Sequence, residues 1–588
     1  MMPTTWDLQE IFEDEGAALA YGRELVKQAE NFKSRADLLL RDAESLFRLL
    51  EEMDCILCGV AKLTTYASLA FFSDTRNPAN AALRSEADNI EARVGKLLSF
   101  VEPEILAASP ETITTFLSAS VELSQRYAFY LSELERSRQH ILSRKEEELL
   151  GRLSVVESIP EQIREALHDG DMHFPMLSSK KREINHGVIE ELLQDSDESV
   201  RAEAFSHYWG EYARYKGTFS ATLNAQASIS AAFAKTRNFT STLSEALHGD
   251  DLPRGVFSSV VRVCRENYPL IRRYFLAKAK ILRLPKLKES DIFAKLSSHS
   301  KVIPYEDGVR LVLAALAPLG DDYVSAARAG LLEEGWVDAF PREGKYSNAF
   351  SSGSLGTKPY LLLNYAPTMT EVGTLAHELG HSMHSLLTQR KQPFGYTHYG
   401  MSVAETASNL NQVLLRHHVF QQGDRDEVFG ALEEAFFFIH RYLFMFPTLS
   451  RVEHLLHVAA SQGKSTSVDE LEAYTVSAFK NAYGDSVSFE PQCTGMKWAS
   501  FCHLYSPYYL FQYAIGISAA MSIGQRILQG DIGIRDRYLE FLSVGNSISV
   551  QDTFRIVGID IAAPDVYRDA FRVVEGYVER LESLASLK

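Results

Sequence analysis

His377 and His381 stand four residues apart in the run HELGH. At ~3.6 residues per turn, a helical run projects both imidazoles from one face, so they can share one cation. Imidazole suits zinc, which takes a tetrahedral site with one position left open for water. Glu378, directly after the first histidine, is poorly placed to ligate with them but can reach such a water as a general base. A third donor lies downstream. Glu405 falls in SVAETASNLNQVLL, where Val403, Leu410, Val413 and Leu414 form a helical apolar stripe. Two histidines and one glutamate are a catalytic zinc set. The implied cofactor is one Zn2+ per chain, with His377, His381 and Glu405 as ligands. The competing reading of Glu405 is local: Ser402-x-x-Glu405 fits a helix capping box.

These residues need elements to hold them. Thr368-x-x-Glu371 fits a capping box that starts a helix, and Pro393 and Gly395 supply a stop. The spacing predicts a helix of about five turns with HELGH well inside it. Residues 382 to 404 separate His381 from Glu405. Two antiparallel helices joined by the loop RKQPFGYTHYG return Glu405 over the histidines. The spacing also excludes rivals. A metzincin needs HExxHxxGxxH, but His384 and Leu387 occupy the Gly and last His positions. The Gly-x-Met-Glu-Asn run of zinc aminopeptidases is absent. An endopeptidase remains favoured.

The wider chain is ordinary for a folded protein: 588 residues, 46% hydrophobic and 23% charged. A net charge of −17 argues against nucleic acid as a partner, since such binders need a basic surface. From Asp14 to about Leu167 the pattern is helical, and SRKEEELLGRLSVV carries its apolar residues at helical spacing. HDGDMHFPMLSSKKREIN, within 168–185, reads as a small hairpin or extended connector. Long helices resume at about Asp197. The expected division is a helical N-terminal domain over 1–196 and a catalytic metal domain over 197–588. KYSNAFSSGSLGTKPYLLLNY, residues 345–365, is the clearest β region. The five cysteines are odd in number and irregular in spacing, which disfavours a disulfide framework. Cys55 and Cys58 are expected as buried helix cysteines. No apolar run reads as long enough for a bilayer, and MMPTTWDLQEIFEDEG lacks the basic and apolar regions of a secretory leader. The expectation is a cytoplasmic protein with no membrane partner. The oligomeric state is left open.

LAHELGHSMHS, VAETASNLNQ and HLYSPYYLFQYAIG together resemble the oligoendopeptidase F branch of the thimet oligopeptidase family. EGKYSNAFSSG, PYLLLNY and YLSELERSRQHILSRKEEELL extend the resemblance over about residues 110–585. It implies a mainly α, ellipsoidal multi-helix fold with a deep central channel between two lobes and a small β region beside the zinc helix. It implies hydrolysis of internal bonds in short unstructured peptides. By the family pattern His377, His381 and Glu405 ligate zinc and Glu378 is the base. His503, Tyr509 and Tyr513 then bind substrate and the developing oxyanion; a neutral phenol donates best when negative charge forms. Ser506-Pro507 reads as an N-cap followed by Pro at the first helical position, which sets Tyr509 and Tyr513 on one helix face. The alternative for these aromatics is simple interface packing. The β region around Phe350, Ser351 and Gly353 is expected to align substrate by strand addition. Three positions depart from the family pattern: Phe511 stands where Tyr is common, Asn348 where Gly is, and Gln412 where Glu is. Two other classes compete: a non-catalytic peptide-binding scaffold with a closed metal site, and a metal carboxypeptidase clipping single C-terminal residues.

Overall fold

A computed structural model describes residues 3–153, 155–178, 180–296 and 301–586. Asp14, Asp42 and Asn77 start three long helices, Glu15–Lys33, Ala43–Ser73 and Pro78–Leu98, their side chains accepting from the N–H groups of Ala17, Ser45 and Ala79. Each supplies an acceptor to a helix N-terminus that has no internal partner. The three pack on one another around Leu25, Phe32, Leu46, Leu50, Leu63 and Val94. The helix Ala43–Ser73 corrects the expectation of no membrane-length apolar run, with a mean hydropathy of 1.6 over its best window. Lys62 breaks the run to the eye, yet the window mean stays that high, and the helix buries Leu46, Leu50, Leu63 and Leu69 in the N-terminal core. Its cysteines differ from expectation as well: Cys55 is exposed, while Cys58 is half-buried with its thiol toward the Leu355 carbonyl at 3.7 Å. They lie on the outward side of the apolar stripe.

The expected connector contains a π-turn, Ala166–Asp171, and one antiparallel bridge between Leu177 and Arg182. Asp197 then caps the helix Glu198–Arg214. The β region forms a three-stranded sheet. Tyr360–Leu362 lies in the middle, antiparallel to Phe350–Ser352 and parallel to Val337–Asp338. The register pairs Phe350 with Leu362 and Ser352 with Tyr360, which leaves Phe350–Ser352 as an edge strand. Val337–Asp338, and a second parallel pair of Leu287–Lys288 with Val487–Ser488, are too short to leave a period in the sequence.

The second and larger apolar core runs from Leu167 to Leu581. Its centre is three helices, Met369–Lys391, Met401–Gln422 and Gln512–Leu528. The sheet bridges the two cores: Tyr360 is buried with the N-terminal cluster, and the Trp6 indole N–H donates to the carbonyls of Trp336 and Leu361 at 2.9 and 3.1 Å. This ties the strands beside the HELGH helix to the N-terminal bundle.

Candidate metal centre

Thr368 starts the HELGH helix as its sequence predicts, its hydroxyl accepting from the Glu371 N–H at 3.4 Å. The Glu371 carboxylate does not complete the box. Two glycines then set how closely the neighbouring helices approach. A Cβ on Gly380, inside HELGH, would lie 2.6 Å from Ser408 Cα, and one on Gly516 would lie 2.4 Å from Glu405 Cβ. Gly380 meets Ser408 while the Ala376 carbonyl accepts from Asn411, so the first two helices run antiparallel. Glu405 is thereby wedged between the HELGH helix and the helix Gln512–Leu528. Its helix is preceded by Gly400 and has no side-chain cap, so the capping role for Ser402 and Glu405 is excluded.

Three donor atoms converge. His377 Nε2 lies 3.2 Å from His381 Nε2 and 3.9 Å from Glu405 Oε2, and His381 Nε2 lies 3.8 Å from Glu405 Oε1. Tetrahedral zinc with bonds near 2.0–2.2 Å sets neighbouring donors about 3.3 Å apart, so these residues fit such an ion. The electrostatics agree. Burial pushes Glu405 up to about 7 and Glu378 up to about 8, the charge of Glu405 adding to the latter. Among the described residues neither carboxylate is paired with Lys or Arg. A cation held between them would supply the missing compensation. Burial also holds His377 down at about 4 and His381 well below its ordinary value, which keeps both imidazoles neutral, the form that ligates.

Gln412 orients the His377 ring. Its Nε2 donates to Glu434 Oε1 at 2.6 Å, which turns its Oε1 toward His377 Nδ1 at 3.1 Å. Glu434 only accepts, so the amide orientation is fixed, Nδ1 carries the proton and Nε2 presents its lone pair. Glu434 is held in turn by Arg416, Nε to Oε2 at 2.5 Å and Nη2 to Oε1 at 2.9 Å, both side chains being buried.

Glu378 faces the edge strand. The Ser351 N–H bonds its carboxylate, and Ser351 Oγ lies 2.8 Å from Ser382 Oγ, which donates to the Glu378 carbonyl at 3.0 Å. The other two strand residues take different places. The Phe350 ring packs against Trp6 and Phe72 of the N-terminal region, and Gly353 allows the strand turn to pass the Lys358 carbonyl, which a Cβ would meet at 2.7 Å. Only backbone can be offered to a ligand at those positions.

The C-terminal segment departs from its expected helix start. The helix begins at Gln512, not after Ser506-Pro507, because Tyr508 takes a left-handed φ of 58°, with its N–H donating to Glu453 and its hydroxyl 3.0 Å from His454 Nδ1. Tyr509 and Tyr513 still meet, rings 5.7 Å apart, and the His503 ring stacks on Tyr509 at 5.5 Å. The Glu405 charge reaches both phenols. Phe511 is buried against Phe257. Sequence reasoning missed Tyr442. It sits on a π-turn, His440–Met445, stacks on Tyr513 at 4.7 Å, and is held far above its ordinary pKa by burial and by Glu405 and Glu378. Such turns break the helical period that pattern reading follows.

A second group, His168, Asp169 and His186, also gathers possible donors. It is unsuited to an ion as it stands: the imidazoles stack at 3.5 Å and 11°, so their lone pairs lie in parallel planes. His186 is also engaged at both ring nitrogens, with the His168 carbonyl and Tyr208.

The sequence model of peptidase family M3 matches residues 191–573, and that of oligopeptidase F matches residues 104–174. The chain belongs to peptidase family M3. It is 29% identical to oligopeptidase PepF of Bacillus subtilis, over 99% of this chain and 87% of that one. It is also 29% identical to an oligoendopeptidase F homolog of Lactococcus lactis, over 99% and 97%. The fold matches oligoendopeptidase F from Enterococcus faecium with a TM-score of 0.75, 24% identity and coverage of 97% and 98%. It matches PZ peptidase A with a TM-score of 0.76, 12% identity and coverage of 94% and 97%. The resemblance read from the motifs therefore holds: this is an oligopeptidase F-like zinc metallopeptidase of the M3 family, mainly helical with small sheets.

Proposed function

We propose that this chain cleaves internal bonds of short, unstructured peptides, with His377, His381 and Glu405 holding one zinc ion and Glu378 acting as general base. The observation that carries this is the convergence of three donor atoms beside a buried carboxylate that has no protein cation. Zinc, when held there, supplies Lewis acidity toward water and a peptide carbonyl. Glu378 takes the proton of the attacking water and passes it to the leaving amine. The Ser351 N–H keeps that carboxylate aimed from the strand side. Tyr513 and Tyr509, both neutral because burial raises them, donate to the oxyanion as the tetrahedral centre forms, and His503 assists from beside Tyr509. Apart from the Ser351 N–H, which Glu378 takes, the edge strand Phe350–Ser352 offers main-chain hydrogen bonds, which read any sequence and align the peptide.

Mass spectrometry of one bradykinin-sized peptide, digested with and without a chelator, tests this reading. Internal cuts that the chelator abolishes are expected. Stepwise loss of single C-terminal residues would favour a carboxypeptidase, and an untouched peptide would favour a binding scaffold.

A further inference from the structure

A cavity of about 700 Å³ opens along the N-terminal half of the HELGH helix. Phe438 lines it, and the same ring lies parallel to His377 at 6.0 Å, so one side chain separates the cavity from the first histidine. Thr374 and Glu371 continue its wall on the helix, and Asn348 and Ala349, just before the edge strand, line it opposite. Glu371, Thr374 and Glu378 recur at spacings of three and four, so they share one helix face with the catalytic carboxylate. A peptide paired to the strand edge and continuing past Ala349 enters this space.

Glu371 is unusual among the glutamates there. Glu191 is paired with Arg182, Glu190 with Arg441, and Glu427 with Lys301. Glu371, among the described residues, has no hydrogen bond or ion pair to its side chain. Burial alone raises it to about 7, with no cation near enough to pull it back. A half-buried carboxylate facing a cavity without a partner is destabilising by itself, and a ligand cation relieves it.

We propose that Glu371 is a specificity-determining residue, binding a cationic group of the substrate: a Lys or Arg side chain, or the peptide's free amino terminus. It precedes Glu378 by seven positions, ~10 Å along a helix, which an extended peptide covers in about three residues. The cationic group therefore sits about three residues from the bond cleaved. Of the lysines in the lining, Lys301 is held by Asp424 and Glu427 and Lys278 donates to the Ile292 carbonyl, and no lysine, Lys295 included, lies close enough to Glu371 to act on its charge. This inference rests on the peptidase reading above and deepens it.

The test uses the zinc-loaded full-length protein and internally quenched peptides of one parent sequence. Lys, Arg, norleucine or Glu is placed in turn at each position around the cleaved bond. Every peptide is made with a free and an acetylated amino terminus. The wild type is expected to favour Lys or Arg over norleucine about five- to twentyfold in kcat/KM at one position. In Glu371→Gln that ratio falls to near one, and in Glu371→Lys it inverts toward Glu. A preference removed by acetylation instead assigns the cation to the amino terminus and supports the same carboxylate. Glu371→Gln is expected to melt no lower than the wild type, because it removes an unpaired charge. A wild-type ratio near one at every position and in both terminal forms, or a Lys preference that survives in Glu371→Gln, overturns the subsite while leaving the peptidase reading intact. Absence of cleavage in every peptide overturns both.

Discussion

Gln412 is where the candidate metal centre can be weakened without touching His377, His381 or Glu405. Gln412→Leu keeps the side chain's approximate volume and removes two contacts, Oε1 to His377 Nδ1 at 3.1 Å and Nε2 to Glu434 Oε1 at 2.6 Å. Glu434 loses little, because Arg416 still donates to both its oxygens. The His377 N–H, by contrast, is left in a buried site with no acceptor, which costs ~1–3 kcal/mol. It also frees the imidazole to rotate or to shift its proton, so that Nε2 no longer presents its lone pair. Loss of such an outer partner typically weakens metal affinity ~10- to 100-fold. The assay is zinc competition against a fluorescent chelator, with apo-protein melting temperature measured in parallel. Weaker zinc binding is expected, with kcat largely retained at saturating zinc. Zinc affinity within about twofold of wild type would refute the claim that Gln412 orients His377.

Other outcomes follow from the same geometry. Gly516→Ala puts a methyl 2.4 Å from Glu405 Cβ, so the helices must separate, at a cost of ~1–3 kcal/mol and with a fall in bound zinc by metal analysis. Tyr513→Phe removes the phenol proposed to donate to the oxyanion and is expected to lower kcat about 10²- to 10³-fold with little change in KM on a quenched peptide. Glu453 is raised to about 8 by burial, partly offset by the Tyr508 N–H. The folded state therefore holds its proton where the unfolded chain has lost it, and stability falls as pH rises from the ordinary carboxylate range to about 8. Glu453→Gln is expected to gain at least ~1 kcal/mol at pH 8 relative to pH 5 in denaturant melts, and an equal effect at both would contradict this.

The HELGH helix was readable because its information is local. Thr368 caps it, and two histidines four apart need only helical geometry to meet. Glu405 was readable through the apolar stripe of its own helix, which fixes the face it shares with its neighbours. What failed was set from far along the chain. Ser506-Pro507 carries a sound helix-start signal, yet Tyr508 is turned left-handed where Glu453 and His454, over 50 positions earlier, take its N–H and hydroxyl. Tyr442 reaches the site through a π-turn, which has no signature in a helical period. The central place of Tyr360–Leu362 in the sheet depends on Val337–Asp338, a strand too short to read.

Glu378→Gln, assayed together for bound zinc and for peptide hydrolysis, reaches the mechanism most directly. The amide keeps the shape and leaves His377, His381 and Glu405 in place. One zinc per chain is expected, with turnover lowered ~10²- to 10⁴-fold or more. Near-normal hydrolysis by a zinc-loaded Glu378→Gln protein would contradict it.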